Sequence, residues 1–234
     1  MRDVIIACDF KNKEELFEFL KPFEGLNPFL KIGMEIFYKE GPSLVRELKA
    51  KGCKIFLDLK LHDIPNTVKK AMTNLAKLGV DIINLHAAGG SKMMAAALEG
   101  LTEGSNGQRP LLIAVTQLTS TSKEMMNTEQ LIPGEVIDSV VNYAKVAKAS
   151  GLDGIVCSPL EVKLVKEACG KEFVTVTPGI RLASNNADDQ VRITTPAMAR
   201  EIGSDYIVVG RPITQAADPV EAYHQISKEF LGNE

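Results

Sequence analysis

An alternation that runs the length of the chain most constrains its fold: short apolar, β-branched runs separated by longer segments with helical periodicity. Strand candidates fall at 4–8, 29–33, 54–60, 81–86, 111–117, 154–157, 173–177 and 206–209. Each is short and strongly apolar, the pattern of strands buried on both faces. The helical segments between them have recognisable starts. Ser158-Pro159-Leu160-Glu161 offers a Ser N-cap, Pro at the first helical position and Glu at the third. Thr195-Pro196 and Asp218-Pro219 repeat the cap-plus-proline signature. Further back, Val68, Met72, Leu75 and Leu78 recur at helical spacing, with Lys69, Lys70 and Asn74 turned away. Eight βα units with no break in composition predict an α/β fold, a closed (β/α)8 TIM barrel forming one domain over residues 1–234. A doubly wound open sheet is the alternative. Its dinucleotide-binding form loses support because the first βα turn, Asp9-Phe10-Lys11-Asn12, has no G-x-G-x-x-G. No repeat beyond the alternation stands out.

Composition narrows the class. A 45% hydrophobic content is that of a globular protein, and no apolar run approaches the roughly 20 residues of a membrane span. The net charge of −3 argues against a broad nucleic-acid or anionic-membrane surface while leaving room for a local cationic pocket. Met1-Arg2-Asp3-Val4-Ile5-Ile6 enters a strand-like run without a signal-peptide layout, so a cytoplasmic location is expected. Cys8, Cys53, Cys157 and Cys169 lack C-x-x-C spacing and read as small buried hydrophobes in a reducing compartment.

Barrel active sites are built at the C-terminal ends of the strands. Read in order, those ends supply Asp9, Lys31, Asp58 with Lys60, His86, Gln117 to Thr119, Pro178-Gly179-Ile180-Arg181 and Gly210-Arg211. Asp58, Lys60 and Asp63 fall within six residues, and strand alternation puts Asp58 and Lys60 on one face. Buried charges cost several kcal/mol each unless paired or used, so a structural ion pair is one reading. That reading needs several coincidental pairs at the same mouth, and a working site needs none. Gly210-Arg211 and Arg181 follow the last two strands, where barrels often hold a phosphate by backbone N–H groups and a cation. The polar stretch 182–193 is long for a βα connection and reads as a closing loop. Its Gln190 could bridge a phosphate and a base, although a solvated glutamine is the simpler account. For His86 a hydrogen-bonded histidine is a simpler reading than a base. His62 sits at an odd offset from Lys60 and is expected to face away, and His224 reads as a surface residue. The pairs Met93-Met94 and Met125-Met126 read as packing, and no spacing commits the site to a metal.

Asp58 to Thr67, reading D-L-K-L-H-D-I-P-N-T, resembles the D-x-K-x-x-D-I-P-N-T signature of the orotidine 5′-phosphate decarboxylase family. The resemblance spans essentially the whole chain. It matches Asp9 and Lys31 to the positions after the first two strands, and Thr119 to the position that contacts the pyrimidine. Arg181, Gln190, Gly210 and Arg211 match the phosphate-binding positions. D-x-K-x-x-D alone is shared with magnesium-dependent sugar-phosphate decarboxylases and aldolases on related barrels, which stand as the alternative function. The I-P-N-T extension and the late P-G-I-R favour the orotidylate family.

The resemblance implies removal of the C6 carboxylate of orotidine 5′-monophosphate to give UMP and carbon dioxide, with neither metal nor cofactor. Lys60 is then the acid that stabilises and protonates the carbanion, Asp58 lies beside the departing carboxylate, and Lys31 completes an alternating charged array. Asp9, Lys31, Asp63 and Thr67 meet the ribose. The resemblance also implies a homodimer with shared active sites, in which Asp63 and Thr67 reach into the partner. A non-catalytic nucleotide-phosphate sensor is a further possibility, but it has no use for the Asp58 and Lys60 pair.

Overall fold

The structure is a computed structural model and describes residues 2–181 and 194–232. Eight parallel strands close into a barrel in chain order. They are β1 (Asp3–Ala7), β2 (Phe29–Gly33), β3 (Lys54–Leu61), β4 (Ile82–His86), β5 (Leu111–Val115), β6 (Gly154–Val156), β7 (Val174–Pro178) and β8 (Tyr206–Val209). Each apolar run has become a strand, with small displacements at the ends. Pairing of β8 back onto β1 closes the sheet and rules out the open doubly wound alternative.

Because side chains alternate across a strand, closure divides the apolar residues into two cores. Ile5, Ala7, Phe29, Phe56, Ile82, Ile113, Val176, Tyr206 and Val208 fill the barrel interior. Val4, Ile6, Leu30, Ile32, Ile55, Leu57, Ile83 and Leu85 point outward into the layer shared with the helices. On β2, β3 and β4 the position two residues beyond the interior plug is polar. Lys31 follows Phe29, Asp58 follows Phe56, and Asn84 follows Ile82. Period-two geometry thus carries three adjacent strands from a dry floor to a polar mouth.

The cap signatures are realised. Ser158 and Glu161 form a reciprocal capping box, opening a 3-10 turn ahead of the helix Val162–Cys169. Thr195 caps the helix Pro196–Glu201, and Asp218 caps Pro219–Leu231. In the helix Pro65–Ala76, Val68 and Met72 are buried as expected. Lys69 differs from expectation: it spans to Glu99 at 2.6 Å and Glu103 at 2.9 Å on the helix Gly90–Gly104. Those two helices touch through glycine. A Cβ on Gly100 would lie 2.1 Å from the Lys69 carbonyl oxygen, and one on Gly104 would lie 2.2 Å from that of Thr73.

The barrel floor adds a repeat that the apolar pattern did not reveal. Gly79-Val80-Asp81, Gly151-Leu152-Asp153 and Gly203-Ser204-Asp205 each end a helix with a left-handed glycine and then enter an even-numbered strand. Each aspartate brackets one residue of the preceding strand. Asp81 donates its N–H to the Ile55 carbonyl at 2.9 Å, and its carboxylate accepts the Ile55 N–H at 2.7 Å. Asp153 does the same with Leu112, and Asp205 with Thr175. A cation completes each bracket: Lys49, Arg109 and Lys166 respectively.

Candidate active site

The site is organised by an irregularity in β3. Leu57 pairs with Ile83 on β4, but the next registered pair is Leu61 with Leu85, so β3 carries extra length over residues 58–60. Lys60 sits inside it at φ +50°, a left-handed conformation that costs a side-chain-bearing residue about 1–2 kcal/mol. The bulge is pinned from β4. Asn84 Oδ1 accepts the Lys60 backbone N–H at 2.8 Å, and Asn84 Nδ2 donates to Asp58 Oδ1 at 2.6 Å. Lys60 Nζ then meets the same Asp58 oxygen at 2.6 Å. The pairing expected from the sequence is present, but regular strand alternation is not how it arises. The chain bulges, and the lysine returns to Asp58 from a left-handed backbone.

From Asp58 the charges continue across the neighbouring strands. Lys31 Nζ lies 3.6 Å from Asp58 Oδ2 and 2.9 Å from Asp9 Oδ1. Asp9, Lys31, Asp58 and Lys60 therefore form one chain of alternating sign, with Asp58 buried and Lys31 partly buried at its middle. Burial favours the neutral form of Asp58, yet Lys31, Lys60 and the Asn84 amide together hold its carboxyl below the usual carboxylate range. Burial likewise opposes the charge on Lys31, and Asp9 and Asp58 outweigh it, so its ammonium is held above the ordinary lysine value. Each buried charge persists because its neighbours are of opposite sign and fixed.

These groups open into a cavity of about 160 Å³. Lys31, Asp58 and Lys60 form one side, and Phe56, Val115, Val156 and Val208 form an apolar wall. Thr119, in the turn that follows β5, lines the same space. Gln117 also reaches it, with its amide donating to Ser139 Oγ at 3.0 Å. A larger cavity of about 540 Å³ lies at the opposite end of the barrel, between the helix Lys13–Leu20 and the starts of β2 and β3. It holds none of the candidate residues.

The remaining candidates lie around the mouth. Asp63 is exposed, and its carboxylate accepts the Ile64 N–H at 2.6 Å. Among the described residues it joins no ion pair, so it does not extend the array within its own chain. Thr67 is exposed in the first turn of the helix Pro65–Ala76. Arg181 follows Gly179, which has φ +84°, and its N–H donates to the Thr194 carbonyl at 3.1 Å. Gly210 follows β8 and leads into the short helix Arg211–Thr214, with Arg211 exposed. Gln190 and the rest of 182–193 lie outside the described residues.

His86 fits the hydrogen-bonded reading. Its Nδ1 accepts the Ala88 N–H at 3.3 Å, and burial, His62 and Lys60 all hold its pKa down. His62 is exposed and stacks on His86 with centroids 5.7 Å apart. Met93, Met94 and Met126 are buried packing residues, whereas Met125 is 39% exposed. All four cysteines are free and buried. Among the described residues no three His, Cys, Asp or Glu side chains gather as a metal site, and no helix is long and apolar enough to cross a membrane.

Asn84 is the residue that reading the strand ends missed. Its signal was a lone amide in the apolar run Ile82-Ile83-Asn84-Leu85, two residues short of His86 at the strand end. As a whole the arrangement presents an ammonium and a carboxylate, held in place beforehand, to a small apolar-walled space. It suits a reaction in which a carboxylate leaves as neutral carbon dioxide, its bonding electrons stay on the carbon, and that carbon then takes a proton.

Comparison with known proteins gives a consistent picture. A sequence model described as Orotidine 5'-phosphate decarboxylase / HUMPS family matches residues 2–226. The chain is 60% identical over 233 residues to the orotidine 5′-phosphate decarboxylase of Bacillus cytotoxicus, covering 99% of this chain and 98% of that protein. It is 59% identical, with the same coverage, to the corresponding protein of Bacillus mycoides. The crystal structure of orotidine 5′-phosphate decarboxylase from Lactobacillus acidophilus superposes with a TM-score of 0.90 at 47% identity, covering 98% of this chain and 99% of that one.

Proposed function

The chain belongs to the orotidine 5′-phosphate decarboxylase / HUMPS family, and from that premise we propose how its own residues carry the reaction. It decarboxylates orotidine 5′-monophosphate to UMP and carbon dioxide, a step of pyrimidine biosynthesis. The difficulty is a carbanion at an sp² carbon with little resonance help, a barrier calling for ~20 kcal/mol or more of stabilisation. The observation that carries the proposal is the fixed alternating array of Asp9, Lys31, Asp58 and Lys60.

Lys60, as an ammonium, stabilises the charge developing at C6 and delivers its proton there once carbon dioxide has left. Asp58 lies beside the departing carboxylate. At ~4 Å and an effective dielectric near 20, that repulsion is roughly 4 kcal/mol, and loss of the carboxylate relieves it. Lys31 holds Asp58 in its charged form and, with Asp9, meets the ribose. Thr119 contacts the pyrimidine from the turn after β5. Arg181, Gln190, Gly210 and Arg211 hold the phosphate, whose binding energy is realised in the transition state.

Asp63 and Thr67 complete the site of a second copy in a homodimer. Their exposure supports this, as does the neighbouring Ile64, an apolar side chain left 67% exposed. The four free, buried cysteines agree with a cytoplasmic location.

The family also includes magnesium-dependent sugar-phosphate enzymes. Here Asp58 Oδ1 already accepts from Lys60 and Asn84, and two ammonium groups flank the carboxylate, so the donor set suits cationic side chains better than a metal ion. Incubation with orotidine 5′-monophosphate in EDTA, followed by the pyrimidine absorbance, tests the reading. The expected outcome is undiminished decay of substrate, abolished in Lys60→Ala while UMP still binds. Loss of turnover in EDTA, or near-normal turnover by Lys60→Ala, would remove the assignment.

A further inference from the structure

We infer that Asn84 is a positioning residue for the decarboxylation: one carboxamide fixes both the carboxylate of Asp58 and the left-handed backbone from which Lys60 projects. The inference rests on the proposed roles of Asp58 and Lys60 and extends them to a residue on another strand.

Asn84 is fully buried on β4, facing the barrel interior, and its register partner on β5 is Ile113. An apolar side chain would serve strand and floor at that position, as Ile82 does two residues earlier. An unpaired amide there would cost about 1–3 kcal/mol, so an asparagine stands only because both its polar atoms are used. Oδ1 accepts the Lys60 N–H at 2.8 Å and Nδ2 donates to Asp58 Oδ1 at 2.6 Å. The backbone N–H can only donate, and the charged carboxylate can only accept, so the network sets the orientation of the amide.

No other common side chain of this size does both. Leucine has the shape without the donor or the acceptor. Aspartate supplies acceptors only and adds a charge, and glutamine is one methylene too long for a filled barrel. The β3 bulge is expensive in two ways, a left-handed lysine and an interrupted ladder. The Asn84 acceptor replaces the ladder partner that Lys60 lacks. Its donor holds Asp58 on the side away from Lys31, so both lysines find the carboxylate already oriented. The charged groups facing Asp58 are Lys31 from β2 and Lys60 from β3, with Asp9 behind Lys31.

Three variants test this. In Asn84→Ala, kcat is expected to fall about 100-fold, with KM and UMP affinity close to those of the parent, because the reacting groups shift while the binding groups do not. Asn84→Asp keeps the acceptor for the Lys60 N–H and sets a second carboxylate against Asp58. Two carboxylates that close share a proton, and the protonated form can donate to Asp58 as the amide did. Its kcat should therefore recover on acidification and fall as pH rises, along a limb the parent lacks.

A role confined to packing predicts no such recovery. Parental kcat in Asn84→Ala, or an Asn84→Asp profile parallel to the parent's, would overturn the inference. So would the failure of both variants to fold. If Asn84→Ala alone fails to fold, the Asn84→Asp profile decides. Lys60→Ala assayed alongside separates the two levels: its retained activity would sink the underlying mechanism, whereas its inactivity beside a parental Asn84→Ala would sink only this inference.

Discussion

Asp58 lies between two ammonium groups, and its charge ties the array to pH. Burial alone would raise its pKa, but Lys31 and Lys60 reverse that, so the folded value lies below the unfolded one of about 4. A depressed carboxyl contributes stability that is present above the unfolded value and lost as pH falls through the folded one. In Lys31→Ala the leading opposing charge is gone. Asp58 should then titrate at higher pH, and the acid loss of stability should begin sooner. Carbon-13 NMR of the Asp58 carboxyl and urea midpoints at stepped pH would read both changes. An unmoved titration would show that Lys31 does not hold the charge. Asp58, Lys60 and Lys31 were legible in the sequence because charged residues in apolar runs demand explanation. Asn84 was not, because a single amide in a strand has many uses until its partners are seen.

At the scale of elements, the most informative features are the three Gly-x-Asp entries into β4, β6 and β8. A left-handed glycine ends the helix, one residue follows, and the aspartate grips the neighbouring strand through its N–H and its carboxylate. The entry into β2 departs from the pattern: Gly25-Leu26-Asn27-Pro28 has no aspartate, and Asn27 itself takes φ +49°. These brackets stand at the end of the barrel opposite the charged array, so they bear on stability and not on chemistry. Asp153→Ala leaves the Leu112 N–H without its carboxylate acceptor and Arg109 with only the Pro110 carbonyl, and should cost about 1–3 kcal/mol, with kcat unchanged. Urea denaturation and a steady-state assay on one preparation check both halves. A drop in kcat without loss of stability would contradict the division. The repeat escaped notice in the sequence because Gly-x-Asp is a common turn. Its meaning appears only when each aspartate is found on the same kind of partner.

For the whole molecule, the placement of Asp63 is the open question that an experiment can close. In its own chain it stands apart from the array it adjoins in sequence. Shared sites predict that mixing inactive Lys60→Ala with inactive Asp63→Ala restores activity. Random pairing gives half heterodimers with one intact site of two, about a quarter of the parental activity. Assay of refolded or co-expressed mixtures against each variant alone checks this, and no recovery would argue for independent sites.

The amino-acid sequence by itself determined the number and order of the strands, the helix starts and the set of charged groups at the barrel mouth. Those features depend on local periodicity, capping and residue type, which neighbours along the chain decide. The eight βα units already predicted closure, and the return of β8 onto β1 excluded the open alternative; only the tertiary structure decided that the lysine of D-x-K reaches its aspartate through a bulge. It alone showed that a buried amide on the next strand links the two. Each of these depends on register between strands far apart in the chain, which apolar spacing leaves undetermined.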